Sequence, residues 1–190
     1  MEPIGKGVHM PEMDIEVVDY GPQEIDEVIS QEFVDDIASR AETFLEENNK
    51  LDSAIFIYTK NKKLLQLIPE DFNNPEKKMA TFAFIEKIYA DCHAVCTVDS
   101  LFVVWLNKDE TPDPSVDIKE IGDECILVKL RTRDGRYWIR QRVFTRDVIN
   151  GKETIILNPD TNQSSYKDIG SELVADILDP WRESGPAPVR

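Results

Sequence analysis

Apolar residues recur every three or four positions between Gln23 and Asn49, which is the spacing of one face of an α-helix. They are Ile25, Val28, Ile29, Phe33, Ile37, Ala41, Phe44 and Leu45. Most of the other side carries acids, with Arg40 the one base before Glu47. This stretch predicts an amphipathic helix whose acidic side is a solvated surface or, alternatively, a docking surface for a basic partner.

Two short runs rich in apolar and β-branched residues follow, at 53–59 and 64–68, and the polar segment 60–63 separates them. They predict a β-hairpin with a polar turn. Asn73-Asn74-Pro75 then supplies the cap and first turn of a second predicted helix, in which apolar residues keep helical spacing to about Tyr89.

The longest wholly apolar run, Leu101 to Leu106, belongs to a strand region predicted from Ala94 to Leu106. Because such a run has no polar face, we expect a central strand covered on both sides. Residues 107–124 then form a connection with seven acids and two prolines. A loop of this length tends to be functional or mobile.

Three further strands are predicted, at Cys125 to Arg133, Arg136 to Asp147 and Glu153 to Leu157. The dipeptides Asp134-Gly135 and Asn150-Gly151 join them. Both dipeptides suit two-residue type I′ turns, because each position of such a turn needs a positive φ.

A short last helix is predicted from Ile169 to Ile177, before Asp179-Pro180 ends it. Residues 1–22 lack a periodic apolar pattern, so we expect a flexible N-terminal arm there and a disordered tail at 184–190. A single domain spans 23–183. Its predicted fold class is α+β, an antiparallel sheet with helices on one side, in the order α-β-β-α-β-β-β-β-α.

Residues 23 to 145 resemble a group of small uncharacterised bacterial and phage proteins. The shared succession is a helix, a hairpin ending in Leu67-Ile68-Pro69, a helix, a long apolar strand, an acidic loop and a strand pair. The strand ends in Val103-Val104-Trp105, and a loop rich in Pro and Asp, Thr111-Pro112-Asp113-Pro114, follows it. The resemblance implies an α+β fold and carries over no functional residues.

Composition narrows the class of protein. The formal net charge is −15, and the longest apolar run has six residues, against the ~20 that a membrane helix needs. Three cysteines in 190 residues do not make a disulfide framework, and the N-terminus lacks the regions of a secretory signal. We therefore expect a cytoplasmic protein without membrane contact. Its acidity disfavours broad coating of a polyanion.

One segment departs from this acidic average. Six of the nine arginines lie between Arg131 and Arg146, and residues 129–146 hold seven bases and one acid. This window carries +6, which leaves −21 on the rest of the chain. A two-residue turn at Asp134-Gly135 would place Arg133 opposite Arg136. That register predicts a basic face made of Lys129, Arg131, Arg133, Arg136, Trp138, Arg140 and Arg142.

Like charges opposite one another destabilise a sheet by a few tenths to ~1 kcal/mol per pair, so something should offset these arginines. Three explanations stay open. The first is the protein's own acids, in the 107–124 loop or on the first helix. The second is an acidic protein partner or a second copy of this chain. The third is nucleic acid, with Trp138 stacked on a base, and an anionic small ligand is a further option.

Metal chemistry has weak support. Cys92, His93 and Cys96 lie close together, and Cys125 is on a nearby predicted strand. Three residues separate Cys92 from Cys96, whereas paired zinc ligands on a knuckle prefer two. We expect small buried hydrophobes here and no metal.

Catalytic and nucleotide motifs are equally weak. His93, Asp99 and Ser100 have the residue types of a hydrolase triad, but closeness along one strand is not triad geometry. The eight glycines are scattered, without a phosphate-binding pattern. We expect no cofactor.

The sequence therefore predicts a non-catalytic interaction protein that binds an acidic protein partner, or itself, through the predicted basic face. One alternative is an enzyme with an acidic site near the 107–124 loop. The other is a local nucleic-acid-binding site on the hairpin, which we rank below a protein partner.

Overall fold

An antiparallel sheet dominates the computed structural model, which describes residues 8–10, 15–70, 92–104 and 122–168 and isolated positions at 74–84 and 115–119. Nine strands are present in this described part. Their bounds are β1 Val8–Met10, β2 Ile15–Pro22, β3 Ala54–Thr59, β4 Lys63–Pro69, β5 Cys92–Val103, β6 Asp123–Thr132, β7 Arg136–Ile149, β8 Lys152–Leu157 and β9 Gln163–Asp168. Helix bounds are α1 Ile25–Val28 and α2 Gln31–Asn48.

The strands follow the order β1-β2-β4-β3-β5-β6-β7 across a curled sheet. Two strands share the outer edge of β7, the longest strand. β9 pairs with Arg136–Gln141, and β8 pairs with Phe144–Ile149. The chain crosses between them through a short 3₁₀ turn, Pro159–Thr161.

The predicted first helix is confirmed, with one interruption. Ser30 has an extended backbone and its hydroxyl accepts a hydrogen bond from the Phe33 N–H at 3.0 Å, so α2 begins with a side-chain cap. Asn49 ends α2 in a left-handed conformation, with φ at 56°, and its N–H donates to the Leu45 carbonyl at 2.8 Å. The N-cap at Ser30 therefore divides the predicted helix into α1 and α2.

The main core lies between α2 and one face of the sheet, which we call the helix face. Phe33, Val34 and Leu45 of α2 are buried there with Phe56 and Val128 of the sheet. The Phe33 and Phe56 rings meet edge to face, with centroids 6.1 Å apart. α2 packs mainly on β5, β6, β7 and β8, so it covers one half of the sheet more than the other.

The prediction of a flexible N-terminal arm is wrong for residues 15–22, which form β2. Residues 15–22 are not outside the core, because β2 pairs with β4 and Ile15 is fully buried. The alternation of apolar and polar residues in this segment is short and ends at a glycine and a proline, so it gave little strand signal. Hydrogen bonds between its backbone and that of β4 hold this segment as a strand.

The predicted hairpin of β3 and β4 is confirmed. β5 lies between β3 and β6 only over residues 94–98, whereas Leu101 to Val103, in the apolar run expected to be central, pair with β6 alone among the described strands and are half-buried. The predicted order omits three strands of the described part, β1, β2 and β9. The one-sided arrangement holds only in part, because Ile55, Ile57 and Leu67 point away from the helix face and are buried as well. Most of the second predicted helix, and the whole last helix and tail, lie outside the described residues.

Candidate functional site

The turn between β6 and β7 differs from the predicted one. Its loop has three residues, Arg133 to Gly135, and Gly135 has a positive φ of 92° whereas Asp134 does not. The Thr132 hydroxyl accepts a hydrogen bond from the Arg136 N–H at 2.9 Å and donates one to the Asp134 carboxylate. In the predicted turn Thr132 is an ordinary strand residue, whereas in the structure its side chain closes the loop.

Charge also stabilises this turn. The Arg136 guanidinium donates to Asp134, with the closest contact at 2.9 Å. This bond is the main reason that the pKa of Asp134 lies below its usual value, and the Thr132 hydroxyl acts in the same direction. The longer loop is thus held by a threonine, an aspartate and an arginine together.

The longer loop shifts the register of the hairpin by one residue. Arg131 lies opposite Tyr137 and Leu130 lies opposite Trp138, whereas the prediction paired Arg131 with Trp138. In a β-strand a shift of one residue moves every side chain to the other face. The predicted register is therefore wrong, and the predicted basic face does not exist as a single surface.

The seven residues of the predicted basic face divide into three groups. Arg136, Trp138, Arg140 and Arg142 share the helix face, in register with the buried side chains of β6. Lys129 and Arg131 are on the opposite face, and the Arg131 guanidinium lies 4.7 Å from the centre of the Tyr137 ring. Arg133 is exposed in the turn.

Two of these arginines form an ion cluster with α2. Arg140 donates to the Asp35 carboxylate, and its Nη2 lies 3.9 Å from Glu42 Oε1. Arg142 Nη1 donates to Glu42 Oε2 at 2.8 Å. The Arg140, Arg142 and Glu42 side chains are 15%, 19% and 11% exposed, so their charges are largely removed from water and need one another.

The spacing along α2 explains how the cluster forms. Asp35 and Glu42 are seven residues apart, which is two helical turns, so both face the same strand. Arg140 and Arg142 are two residues apart on β7 and share one face. The explanation that the protein's own acids offset the arginines is confirmed for this pair. The sequence predicts the first helix as one source of acids, but no local pattern distinguishes Asp35 and Glu42 from the other acids of that helix.

Other hairpin arginines are also paired within the chain. Arg146 Nε donates to Glu124 Oε2 at 2.8 Å, and its Nη1 donates to the Asn49 carbonyl at 2.7 Å. These bonds join the end of β7 to the start of β6 and to the end of α2. They use acidic and carbonyl groups that an outside partner would otherwise have to supply.

Trp138 is part of the core. It is 7% exposed and packs in the main core with Leu130, while Tyr166 of β9 lies with its ring centre 4.9 Å away. A tryptophan that stacks on a nucleic-acid base must offer an open ring face. The buried position of Trp138 removes the feature on which the nucleic-acid alternative depended.

The cysteines behave as buried hydrophobes. Cys92, Cys96 and Cys125 are all buried thiols, and burial raises the pKa of Cys125 to about 11. Cys96 faces α2 whereas Cys125 is on the other face of the sheet. Within the described part of the chain, no group of three or more His, Cys, Asp or Glu residues is placed to hold a metal ion.

The triad residues are far apart. His93 and Asp99 are six residues apart on β5, which corresponds to ~20 Å of extended chain. Asp99 instead accepts a hydrogen bond from the Ser53 hydroxyl at 2.6 Å.

Most of the 107–124 loop, on which the enzyme alternative depends, lies outside the described residues.

A second hairpin carries a feature that the sequence did not single out. Its turn, Asn150-Gly151, has φ values of 54° and 77° and joins Ile149 directly to Lys152, which confirms the predicted two-residue turn. We call residues 145–157 the distal hairpin. Three large apolar side chains on it are exposed: Val148 by 69%, Ile149 by 46% and Ile156 by 42%. The sequence signal for this feature is the consecutive pair Val148 and Ile149 beside the turn, which lie on opposite faces of β7, and Ile156 shares the face of Ile149.

Comparisons with known proteins give no assignment: no family model, no curated protein and no solved structure matches this chain. Among the described helices, none has the length and apolar character to cross a membrane.

Proposed function

We propose that the protein acts by binding another protein chain, that this chain is a second copy of itself, and that the distal hairpin is the contact surface. The observation that carries the proposal is the exposure of three large apolar side chains within one hairpin, Ile149 and Ile156 on one of its faces and Val148 on the other. Within the described residues, six large hydrophobic side chains are exposed, and these are three of them. Several exposed apolar side chains within one short segment favour a protein contact site there, whereas single ones need no explanation.

The backbone of β8 supports the same surface. β8 pairs with β7 on one side, and within the described residues no strand pairs with its other side. Such an edge presents N–H and C=O groups that can extend the sheet by one more strand. Apolar side chains beside an open edge therefore favour a partner that adds a strand.

A second copy fits this edge without a charge conflict. An antiparallel pair of β8 strands centred on Thr154 places Lys152 opposite Ile156 and Glu153 opposite Ile155. No like charges face one another in this pairing. The distal hairpin also holds two bases and two acids, so it is locally neutral although the whole chain carries −15.

An acidic protein partner has less support than a second copy. Its case depended on a basic face, and Arg140, Arg142 and Arg146 are engaged with Asp35, Glu42 and Glu124. An acidic partner would have to displace these internal acids from groups that are mostly buried.

The test is the mass of the protein in solution as a function of concentration, measured by sedimentation equilibrium. We expect the wild type to shift from monomer to dimer. Ile156→Lys should weaken the dimer at least ~10-fold, because it sets a like charge opposite Lys152 and removes apolar contact area. Ile25→Lys is the matched control, since Ile25 is 37% exposed on α1 and should leave the dimer unchanged.

Two results contradict the proposal. One is a wild type that remains monomeric at the highest concentration reached. The other is a dimer that Ile156→Lys leaves as stable as Ile25→Lys does, because the contact would then lie elsewhere.

A further inference from the structure

The sheet is not uniformly covered by α2, and a cavity of about 240 Å³ lies under the part of α2 nearest to β2, β3 and β4. Its walls are mainly apolar, formed by side chains of α2, of the segment that follows it and of the sheet. The apolar lining includes Ile37, Ala41, Phe44, Leu51, Phe56 and Val98. Phe44 is 45% exposed at this position, so the cavity has an aromatic side chain at its opening.

The size of the cavity suits a small molecule. An engineered apolar cavity of ~150 Å³ binds benzene, and sites for drug-sized ligands begin at ~300 Å³. A cavity of about 240 Å³ therefore has room for one aromatic ring with a small substituent.

One polar pair lies in the wall. The Tyr20 hydroxyl donates a hydrogen bond to Gln66 Oε1 at 2.6 Å, and burial raises the pKa of Tyr20, so the phenol stays protonated at neutral pH. With its oxygen engaged, the Gln66 amide still has two N–H donors. Gln66 is not fully enclosed by protein, and these donors suit a ligand carbonyl oxygen.

The charged groups at the cavity are already balanced. Arg40 Nε lies 3.0 Å from Asp36, and Lys50 Nζ lies 2.5 Å from Asp52. These pairs are exposed, so the larger obstacle to an ionised ligand is the loss of its hydration in an apolar cavity, which an uncharged ligand avoids.

We infer that this cavity binds a small, uncharged aromatic molecule that carries one carbonyl group, with the ring between α2 and β3 and the carbonyl oxygen accepting from the Gln66 amide. This site is separate from the distal hairpin and does not depend on self-association. It shares with that hairpin only the sheet on which both are built.

The test is a titration of the ¹⁵N-labelled full chain with benzamide at millimolar concentrations, followed by amide chemical shifts. We expect saturable shifts around Ala41, Phe56 and Gln66. Benzoate and benzylamine have a similar shape but carry a charge, and each should bind at least ~10-fold more weakly. Stronger binding of either one would overturn the assignment of an uncharged ligand.

Variants locate the site and its donor. Ala41→Leu fills the cavity and should abolish the shifts while raising the melting temperature, as cavity filling commonly does. Thr43→Leu is the matched control, because Thr43 is exposed on the same helix and does not line this cavity. Gln66→Met removes the amide donor at similar volume and should weaken benzamide several-fold but leave toluene unchanged.

Three outcomes would overturn the inference. They are an absence of saturable shifts with benzamide, shifts that survive Ala41→Leu, and equal effects of Gln66→Met on benzamide and toluene. The melting temperature of Ala41→Leu shows independently whether that variant is folded.

Discussion

The two halves of β7 have opposite environments. The first half, Arg136 to Phe144, holds three arginines and a tryptophan, and it is covered by α2 on one face and by β9 along the edge of Arg136–Gln141. The second half, Thr145 to Ile149, is exposed although it contains two adjacent apolar residues. The arginine-rich segment is thus largely internal, and the segment that ends in two adjacent apolar residues is open. Composition alone therefore does not locate a binding surface, because the register decides which face each side chain takes.

The largest expected effect tests the covered half. Glu42→Ala leaves Arg140 and Arg142 facing α2 with Asp35 as the remaining acid of the cluster. Loss of one partner from a buried ion cluster is strongly destabilising, so we expect the free energy of unfolding to fall by about 3 kcal/mol in urea denaturation.

Glu46→Ala is the control for this change, because Glu46 is exposed on the same helix. It should alter the free energy of unfolding by less than ~0.5 kcal/mol. A Glu42→Ala variant as stable as the Glu46→Ala variant would mean that the arginines are not held by α2.

A smaller effect tests the turn that sets the register. Thr132→Val keeps the shape of the side chain and removes the hydroxyl that accepts from the Arg136 N–H and donates to Asp134. We expect a loss of about 1 to 2 kcal/mol in the free energy of unfolding, since a buried hydrogen-bonding group loses its partner.

Thr145→Val in the exposed half of β7 is the matched change for comparison. Its effect should stay within ~0.5 kcal/mol. Equal effects of the two substitutions in urea denaturation would show that the Thr132 hydroxyl does not stabilise the three-residue turn.

Much of the fold follows from the sequence where periodicity is strong. The helix around Phe33, Ile37 and Leu45 is predicted by its spacing, and the turn at Asn150-Gly151 is predicted because Asn and Gly both tolerate the positive φ that it requires. Both signals are local, because each depends on residues that are close along the chain.

The rest depends on contacts between distant residues. β9 has no alternating apolar pattern and is ordered by backbone pairing with Trp138 and its neighbours. The register of β6 and β7 depends on the side chain of Thr132, which adds one residue to the loop. From the sequence, Asp134-Gly135 and Asn150-Gly151 are the same kind of turn signal, and only the neighbouring residues distinguish them.

The predicted basic face fails for the same reason. A two-residue turn groups Lys129, Arg131 and Arg133 with Arg140 and Arg142, and the observed register separates them. The ion cluster needs Asp35 and Glu42 from a helix about 100 residues earlier in the chain, as the 105 and 100 residue separations of these bonds show. No local pattern encodes that pairing.

Hydrogen–deuterium exchange at two protein concentrations tests the central claim most directly, because β8 and β9 lie along the same edge of β7 and serve as target and control. If two copies join through the distal hairpin, the amides of β8 exchange more slowly at high concentration while those of β9 keep the same rates. Exchange in β8 that does not change with concentration, or that slows equally in both strands, would contradict the account.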